Sequence, residues 1–337
     1  MIKSLIFALK GIVLALIQDL GPAIRRFLQL LCKAIGTFFH RRKRQHIVNP
    51  APCIPIRHPA FKKPDPLIYD QYYLMSLGLA VSWQNPDIQI LLGGVPVASA
   101  YDLLPATAYT IRARIWNGST TGVCAGMPVT FSYLSFGVGT VSHLIGLTSV
   151  NLGVKGSPQA PTFADMVWVT PAAPGHYCIQ VSFFWLDDAN PYNNLGQENT
   201  EVVKAHSPAT SNFTLRNSGD VRREYRFEVD TFQIAPPPPC DQTGRGGNRG
   251  GDAAGRRTPI GKVPPAILAR NSRAANPLPA GWTIAFNPAA PVLNPGQELN
   301  IAATITPDAA FTGTQPVNVH VSSGTELIGG VTIIVQG

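Results

Sequence analysis

The densest group of side chains able to hold an ion is the run Leu186 to Asn199, LDDANPYNNLGQEN. Asp187, Asp188, Asn190, Asn193, Asn194, Gln197 and Glu198 supply hard oxygen donors of the kind that bind Ca²⁺. Asp187, Asp188, Asn190 and Asn194 are the candidate ligands. The ordered spacing of an EF-hand loop, with its central Gly and closing Glu, is absent. Asn, Asp and Pro are also what a tight turn demands, so a structural turn competes with the calcium site. Asn194 and Asn199 are expected to brace that turn through side-chain-to-backbone bonds.

Nucleophilic chemistry has one candidate pair. His176 and Cys178 stand two apart, so on a strand they share a face. No third residue to orient the imidazole is legible. The seven histidines form no HExxH or other metal spacing, and no G-x-S-x-G elbow occurs. Gly255 to Val263 has the wrong glycine spacing for a phosphate loop and places Val263 where Ser or Thr is needed after Lys262. Arg245 to Asp252 resembles an RGG tract but contains no aromatic residue for base stacking, so a linker or assembly arm is expected. No enzyme activity and no cofactor are expected. The five cysteines, Cys32, Cys53, Cys124, Cys178 and Cys240, give no disulfide framework. They read as mostly reduced, with at most one bridge, Cys124 to Cys178. Cys32 reads as a small boundary hydrophobe, with acylation as the alternative.

These residues are carried by a chain whose parts differ sharply. Residues 1–45 contain nine Lys or Arg and one acidic residue, and so hold the whole net charge of +8. The remainder is electrically balanced, which argues against a nucleic-acid-binding body. At roughly 100° per residue the basic side chains Lys3, Lys10, Arg25, Arg26 and Lys33 share one arc. Leu16, Leu20, Phe27, Leu31 and Phe38 lie in the opposite arc, and Arg41, Arg42, Lys43 and Arg44 follow. The two-sided pattern stays in phase across Gly21-Pro22, as an amphipathic helix or two broken at the proline. The longest charge-free run, Gly11 to Gln18, is too short to span a bilayer. No convincing cleavage site marks a secretory signal. A helix in the membrane interface fits, apolar side down, with each basic residue near anionic lipid contributing about 1 kcal/mol. Self-association, packing on the chain's own body and an unusual signal anchor are the competing readings. The charge placed after the apolar region favours the cytoplasmic face.

Residues 46–68 carry six prolines and read as a semi-extended tether. From Tyr69 onward, 31 Gly and 31 Pro in the chain, with plentiful Val, Ile and Thr, suit short strands and turns. Expected strands cover Leu74–Trp83, Ile88–Leu92, Thr107–Trp116, Pro128–Leu134, Ser149–Val154, Ala164–Val169 and His176–Trp185. A second set covers Ser207–Leu215, Arg222–Ile234, Trp282–Phe286, Glu298–Ile305, Gln315–Ser322 and Gly330–Val335. Strands at roughly 8–12-residue spacing, without long helical patterns between them, indicate all-β sandwiches rather than an α/β enzyme.

Asn117-Gly118-Ser119, the run from Trp168 through Pro171 to Cys178, and Leu186 to Asn199 resemble the bacterial CARDB-type immunoglobulin-like module. The resemblance covers about 100 residues, 105–203. The runs Leu278–Trp282 and Asn294–Pro307 look like a second bacterial immunoglobulin-like repeat. The resemblance implies two immunoglobulin-like β-sandwiches, over 69–203 and 204–337; the Pro- and Gly-rich run from Pro236 reads as a disordered insertion, 236–262, in the second. The CARDB-type family is commonly exported, which makes the cell surface the alternative location. The function expected is a non-enzymatic membrane-associated structural or binding protein. Its expected partners are an anionic membrane surface and a protein partner or further copies of itself, not nucleic acid. The alternative is a membrane-permeabilising effector that uses the cationic leader.

Overall fold

The computed structural model describes residues 63–97, 103–172, 176–204, 208–234 and 265–337, all within one compact unit, Asn49–Gly337. The amphipathic segment, with every candidate membrane-binding residue from Lys3 to Arg44, lies outside the described residues. So do the tether up to residue 62 and the insertion 236–262.

The described chain is mostly β-strand, arranged around two main apolar cores. In the first module, β1 (Pro66–Leu67), β2 (Ile88–Leu92), β3 (Val95–Pro96), β4 (Ala108–Asn117) and β8 (Thr162–Val169) form one sheet. There β4 has β8 on one side and β1 and β2 on the other. The facing sheet is β5 (Cys124–Ser135), β7 (Ser142–Leu152), β9 (Tyr177–Phe183) and β10 (Leu195–Glu198), in the order β10-β9-β5-β7. Period-two alternation explains the pairing of the layers. Tyr109, Ile111, Ala113 and Ile115 point inward and join Met127, Val129, Phe131, Trp168, Ile179 and Val181 in one buried cluster. Each large apolar side chain so buried contributes about 1.5–3 kcal/mol.

The second module repeats the plan. One sheet runs β11 (Thr200–Lys204), β19 (Glu326–Gln336), β18 (Thr314–Ser323), β14 (Arg226–Asp230). The other runs β15 (Thr283–Asn287), β17 (Glu298–Thr306), β12 (Ala209–Arg216), β6 (Gly137–Val138). A short pair, β13 (Arg223–Glu224) with β16 (Val292–Leu293), flanks them. Val317, Val319, Val321, Val331, Ile333 and Val335 face Phe213, Leu215, Ile301, Ala303 and Ile305 across this core.

Two strands cross the boundary expected at residues 203 and 204. β11 pairs in parallel with β19, so the second module begins at Thr200. β6, on the chain just after β5, leaves the first module and joins β12 in parallel. Three further expectations change. Leu74–Trp83, read as a strand, opens instead within helix α1 (Gln71–Ser76), because Asp70 caps it by accepting the Tyr73 N–H at 3.0 Å. Arg222–Ile234, read as one strand, is divided between β13 and β14. Pro66 and Leu67, expected within the tether, instead pair with Asn117 and Trp116. Past the insertion, a second helix, α2 (Pro265–Asn271), precedes β15.

The Cys124–Cys178 bridge does not form; both thiols are free and buried. Cys124 sits opposite Leu152 at one end of β5, whereas Cys178 sits opposite Leu134 near the other. Almost the whole of β5, at about 3.3 Å per residue, separates the two levels, far beyond the reach of an S–S bond.

Candidate interaction surface

The chain enters the first module at its end farthest from the second, and three loops gather there. Asp65 N–H donates to Asn117 Oδ1 at 3.1 Å and Gly118 N–H to Asp65 O at 2.8 Å, which fixes the 117–123 loop beside the entering chain. Asn117 Nδ2 reaches Gly153 O at 2.8 Å, and Lys155 N–H reaches Ser119 O at 2.7 Å, which adds the loop after β7. Lys63 Nζ lies 3.3 Å from Asp187 Oδ1, and Ala189 N–H donates to Pro64 O at 2.8 Å, which adds the acidic turn.

That turn places the four candidate calcium ligands close in the chain but turns their oxygens to other work. Asp188 accepts from Asn190 N–H at 2.8 Å and from Asn194 Nδ2 at 2.6 Å. Asn190 Oδ1 accepts from Tyr192 N–H at 3.4 Å, and Asp187 is paired with Lys63. Among the described residues no group of three or more His, Cys, Asp or Glu is placed to hold a metal ion. Asn194 donates to the Asp188 side chain within the turn rather than to backbone, and Asn199 does not brace the turn: its Nδ2 donates to Gly137 O and Gly330 O, at 2.9 and 2.6 Å, outside it. The His176–Cys178 pair is not assembled as a nucleophile. His176 stacks on Phe136 with ring centroids 3.8 Å apart. Burial pushes the Cys178 thiol up, beside Glu198, which opposes thiolate formation.

Two carboxyls at this module, Asp70 buried and Asp188 half-buried, give a pH dependence. Burial pushes Asp70 up to about 7 and Asp188 to about 6, from an ordinary 3.8. Over that interval the folded chain holds more protons than the unfolded one, so stability falls as pH rises. The contribution is full below the ordinary value and lost as pH passes the folded one. Asp70→Asn keeps the cap on α1 but turns an N–H toward the Leu195 N–H that Asp70 Oδ2 accepts at 2.9 Å. The variant is expected to be less stable at pH 5 and to show a shallower fall to pH 8, by about 1–3 kcal/mol over the interval. Thermal melts across that range check it. Equal slopes in the two proteins would show that Asp70 does not titrate there.

A second polar group went unread in the sequence. Asp230, Asn318, His320 and Thr332 lie on the outer side of the β14-β18-β19 layer, all essentially unexposed. Trp83 and its neighbours Tyr69, Leu74, Leu79 and Val81 cover them. His320 Nδ1 accepts from Trp83 Nε1–H at 3.2 Å, so the proton sits on Nε2 and is donated to Asp230 Oδ2 at 2.8 Å. Asn318 Nδ2 donates to Asp230 Oδ1 at 2.7 Å, Thr332 Oγ1–H to Asn318 Oδ1 at 2.8 Å, and Trp83 N–H to Thr332 Oγ1 at 2.7 Å. An Asp–His pair suggests general-base catalysis. Here the third member is an indole N–H, a donor with nothing to lose to a substrate, and the pair is sealed from water. The group is a lock between chain segments.

The exposed apolar side chains are uneven. Apart from Val221 and Val292, all the large ones belong to the first module. β7 and β8 are both edge strands, each bonded on one side only. β7 is 11 residues long, SHLIGLTSVNL, with Leu144 and Leu147 exposed and no charge or proline along it. β8 turns Phe163, Val167 and Val169 outward, around an Arg112–Asp165 fork at 2.8 and 2.7 Å. Soluble proteins blunt such edges with charge, proline or twist. β7 has two register shifts against β5, between Cys124 and Met127 and between Phe131 and Ser132, and Met166 of β8 packs close to its Gly146, but it has neither charge nor proline.

No helix of the described residues is long and apolar enough to cross a membrane. No family model matches the chain, and no curated protein does. Among solved structures, the Pseudomonas aeruginosa CupB2 chaperone is similar at 8% identity and a TM-score of 0.23, covering 41% of this chain and 52% of that one. The Escherichia coli alpha-2-macroglobulin activated by porcine elastase is similar at 9% identity and a TM-score of 0.21, covering 74% of this chain and 22% of that one. The exo-beta-D-glucosaminidase CsxA gives 14% identity and a TM-score of 0.20, over 69% of this chain and 25% of that one. This chain thus spans about half the chaperone and under a quarter of the macroglobulin. None of these likenesses reaches the level of a shared fold.

Proposed function

We propose that this chain is a non-enzymatic, membrane-associated structural protein. Its cationic amphipathic leader docks on anionic lipid at the cytoplasmic face, and its two modules are immunoglobulin-like sandwiches, the first of CARDB type, held out for self-assembly. The observation that supports assembly is the β7 edge, long, free of Lys, Arg, Asp, Glu and Pro, and carrying the exposed Leu144 and Leu147. A second copy meets no like charge along that strand, and two such edges related by a two-fold axis pair antiparallel without clash of register.

The test uses the full chain. Leu16→Glu with Leu20→Glu should abolish flotation with vesicles containing anionic lipid, because charges then interrupt the apolar arc. Flotation equal to that of the unchanged protein rejects the leader as the anchor. Leu147→Lys should shift light scattering from oligomer to monomer, since the exposed side chain leaves the core intact. A scattering mass that Leu147→Lys leaves unaltered rejects pairing through β7.

A further inference from the structure

In the first module the inward side chains of β4 and β8, Ile111, Ala113, Ile115, Ala164 and Trp168, are spent on the core. Their outward neighbours lie on the opposite face of the same two strands. The pairing register joins those outward side chains into rows. Phe163 stands beside Arg114, Asp165 beside Arg112, and Val167 beside Thr110, with Val169 next along β8. The result is one continuous strip, two strands wide. Phe163, Val167 and Val169 are 54, 66 and 60% exposed, so its apolar part is open to water.

The charges in the strip cancel. Arg112 holds Asp165 through Nε and Nη2 at 2.8 and 2.7 Å, and its guanidinium lies 5.7 Å from the centre of the Phe163 ring. Arg114 is matched by the buried Asp87, 2.8 Å away. Opposite signs therefore stand side by side across the line between β4 and β8, and that arrangement selects the occupant. A two-fold axis laid along this line sets each side chain over its row neighbour on another copy. Arg112 meets Asp165 of the second copy, and Asp165 meets that copy's Arg112. Phe163 comes over Arg114, a cation–π pairing, and Val167 comes over Thr110. No like charges meet. Sheets stacked this way lie about 10 Å apart, with their strands aligned to within about 30°. An anionic lipid surface or a nucleic acid finds no net positive charge here and would meet Asp165.

We propose that the β4–β8 face binds the same face of a second copy about such a two-fold axis. The proposal rests on the self-assembly reading above and adds a second contact to it, face to face where β7 pairs edge to edge. Two different two-fold contacts on one chain let assembly continue past a pair. The face offers side chains only, whereas a paired edge adds main-chain hydrogen bonds, so the face is the weaker contact.

The experiment uses full-length chains carrying Leu147→Lys, which removes β7 pairing. Sedimentation of that protein, above the concentration at which it scatters as a monomer, should show a dimer. Adding Arg112→Asp, or instead Asp165→Arg, should weaken this dimer about tenfold or more, since like charges then face each other across the axis. An equal mixture of the two charge variants should regain the dimer, because two acidic groups on one chain then meet two arginines on the other. An exposed ion pair contributes little to folding, so the melting temperatures should stay close to that of the parent. Recovery on mixing has no source within a single chain. A mixture no more associated than either variant alone overturns the proposal. If the Leu147→Lys protein stays monomeric at every concentration, pairing through β7 stands and the face contact falls. If Leu147→Lys leaves the oligomer intact while Arg112→Asp disperses it, the face contact stands and the β7 reading falls.

Discussion

His320→Ala is expected to destabilise the protein by about 3–5 kcal/mol, a large share of the 5–15 kcal/mol that holds a typical domain together. The imidazole satisfies two buried groups at once. It gives its Nε2 proton to Asp230 Oδ2 at 2.8 Å and accepts the Trp83 indole proton at 3.2 Å. Alanine leaves Asp230 Oδ2 and Trp83 Nε1 without those partners where no water reaches, and adds a cavity. Gly330 shows how closely the site is built, since a Cβ there would lie 2.1 Å from Trp83 Nε1. His320→Gln should recover part of the loss, because one amide nitrogen can donate to Asp230. Denaturant titration of the three proteins is the measurement. A loss below about 1 kcal/mol for alanine, the worth of an ordinary hydrogen bond, would mean that water enters and the lock is loose.

The second large effect is expected at Gly137. This residue has φ +146°, and a Cβ on it would fall 2.0 Å from Thr214 O, a backbone atom of β12 that cannot swing aside. Gly137 pairs with Thr214, and its carbonyl accepts from Asn199 Nδ2 at 2.9 Å. Gly137→Ala should therefore strip β6 from β12 and cost about 2–4 kcal/mol, combining backbone strain with overpacking. The loss falls on the seam and on the edge of the second core, to which the flanking Phe136 and Val138 belong. Calorimetry should show the single transition of the unchanged chain divided in two, with the modules melting independently. A single, merely shifted transition would show that the Trp83 lock suffices to couple them.

The strands with clean alternation were legible because each has one face in a core and one outside. β2 has the bounds read from sequence, and β4, β17 and β18 lie within two residues of theirs. Period two carries that information without help from the rest of the chain. It fails where a second layer covers the outer face. In Tyr225 to Thr231 the alternation assigns Asp230 to solvent. Asp230 does point outward, but residues 69–83 lie over it. A weak signal was present. The outward positions Asn318, His320 and Thr332 are polar yet uncharged, in strands that hold no Lys, Arg or Asp. The apolar content of Leu74–Trp83 suits either a strand or a helix, and only the cap at Asp70 tells them apart. β6 is two residues long and β11 is parallel to a strand far away in sequence, so neither leaves a local pattern. The loop cluster at the entry point combines residues from turns distant in sequence, so no local pattern marks it.

Synthesis delivers the parts of this fold in a telling order. Trp83 finds His320 only 237 residues later, and Asn199 waits 131 residues for Gly330. β19, which sits between β11 and β18, arrives after every segment it braces. Contacts so distant in sequence are slow to form. Until β19 is added, β11 and β18 have no strand between them, and that sheet of the second module stays open.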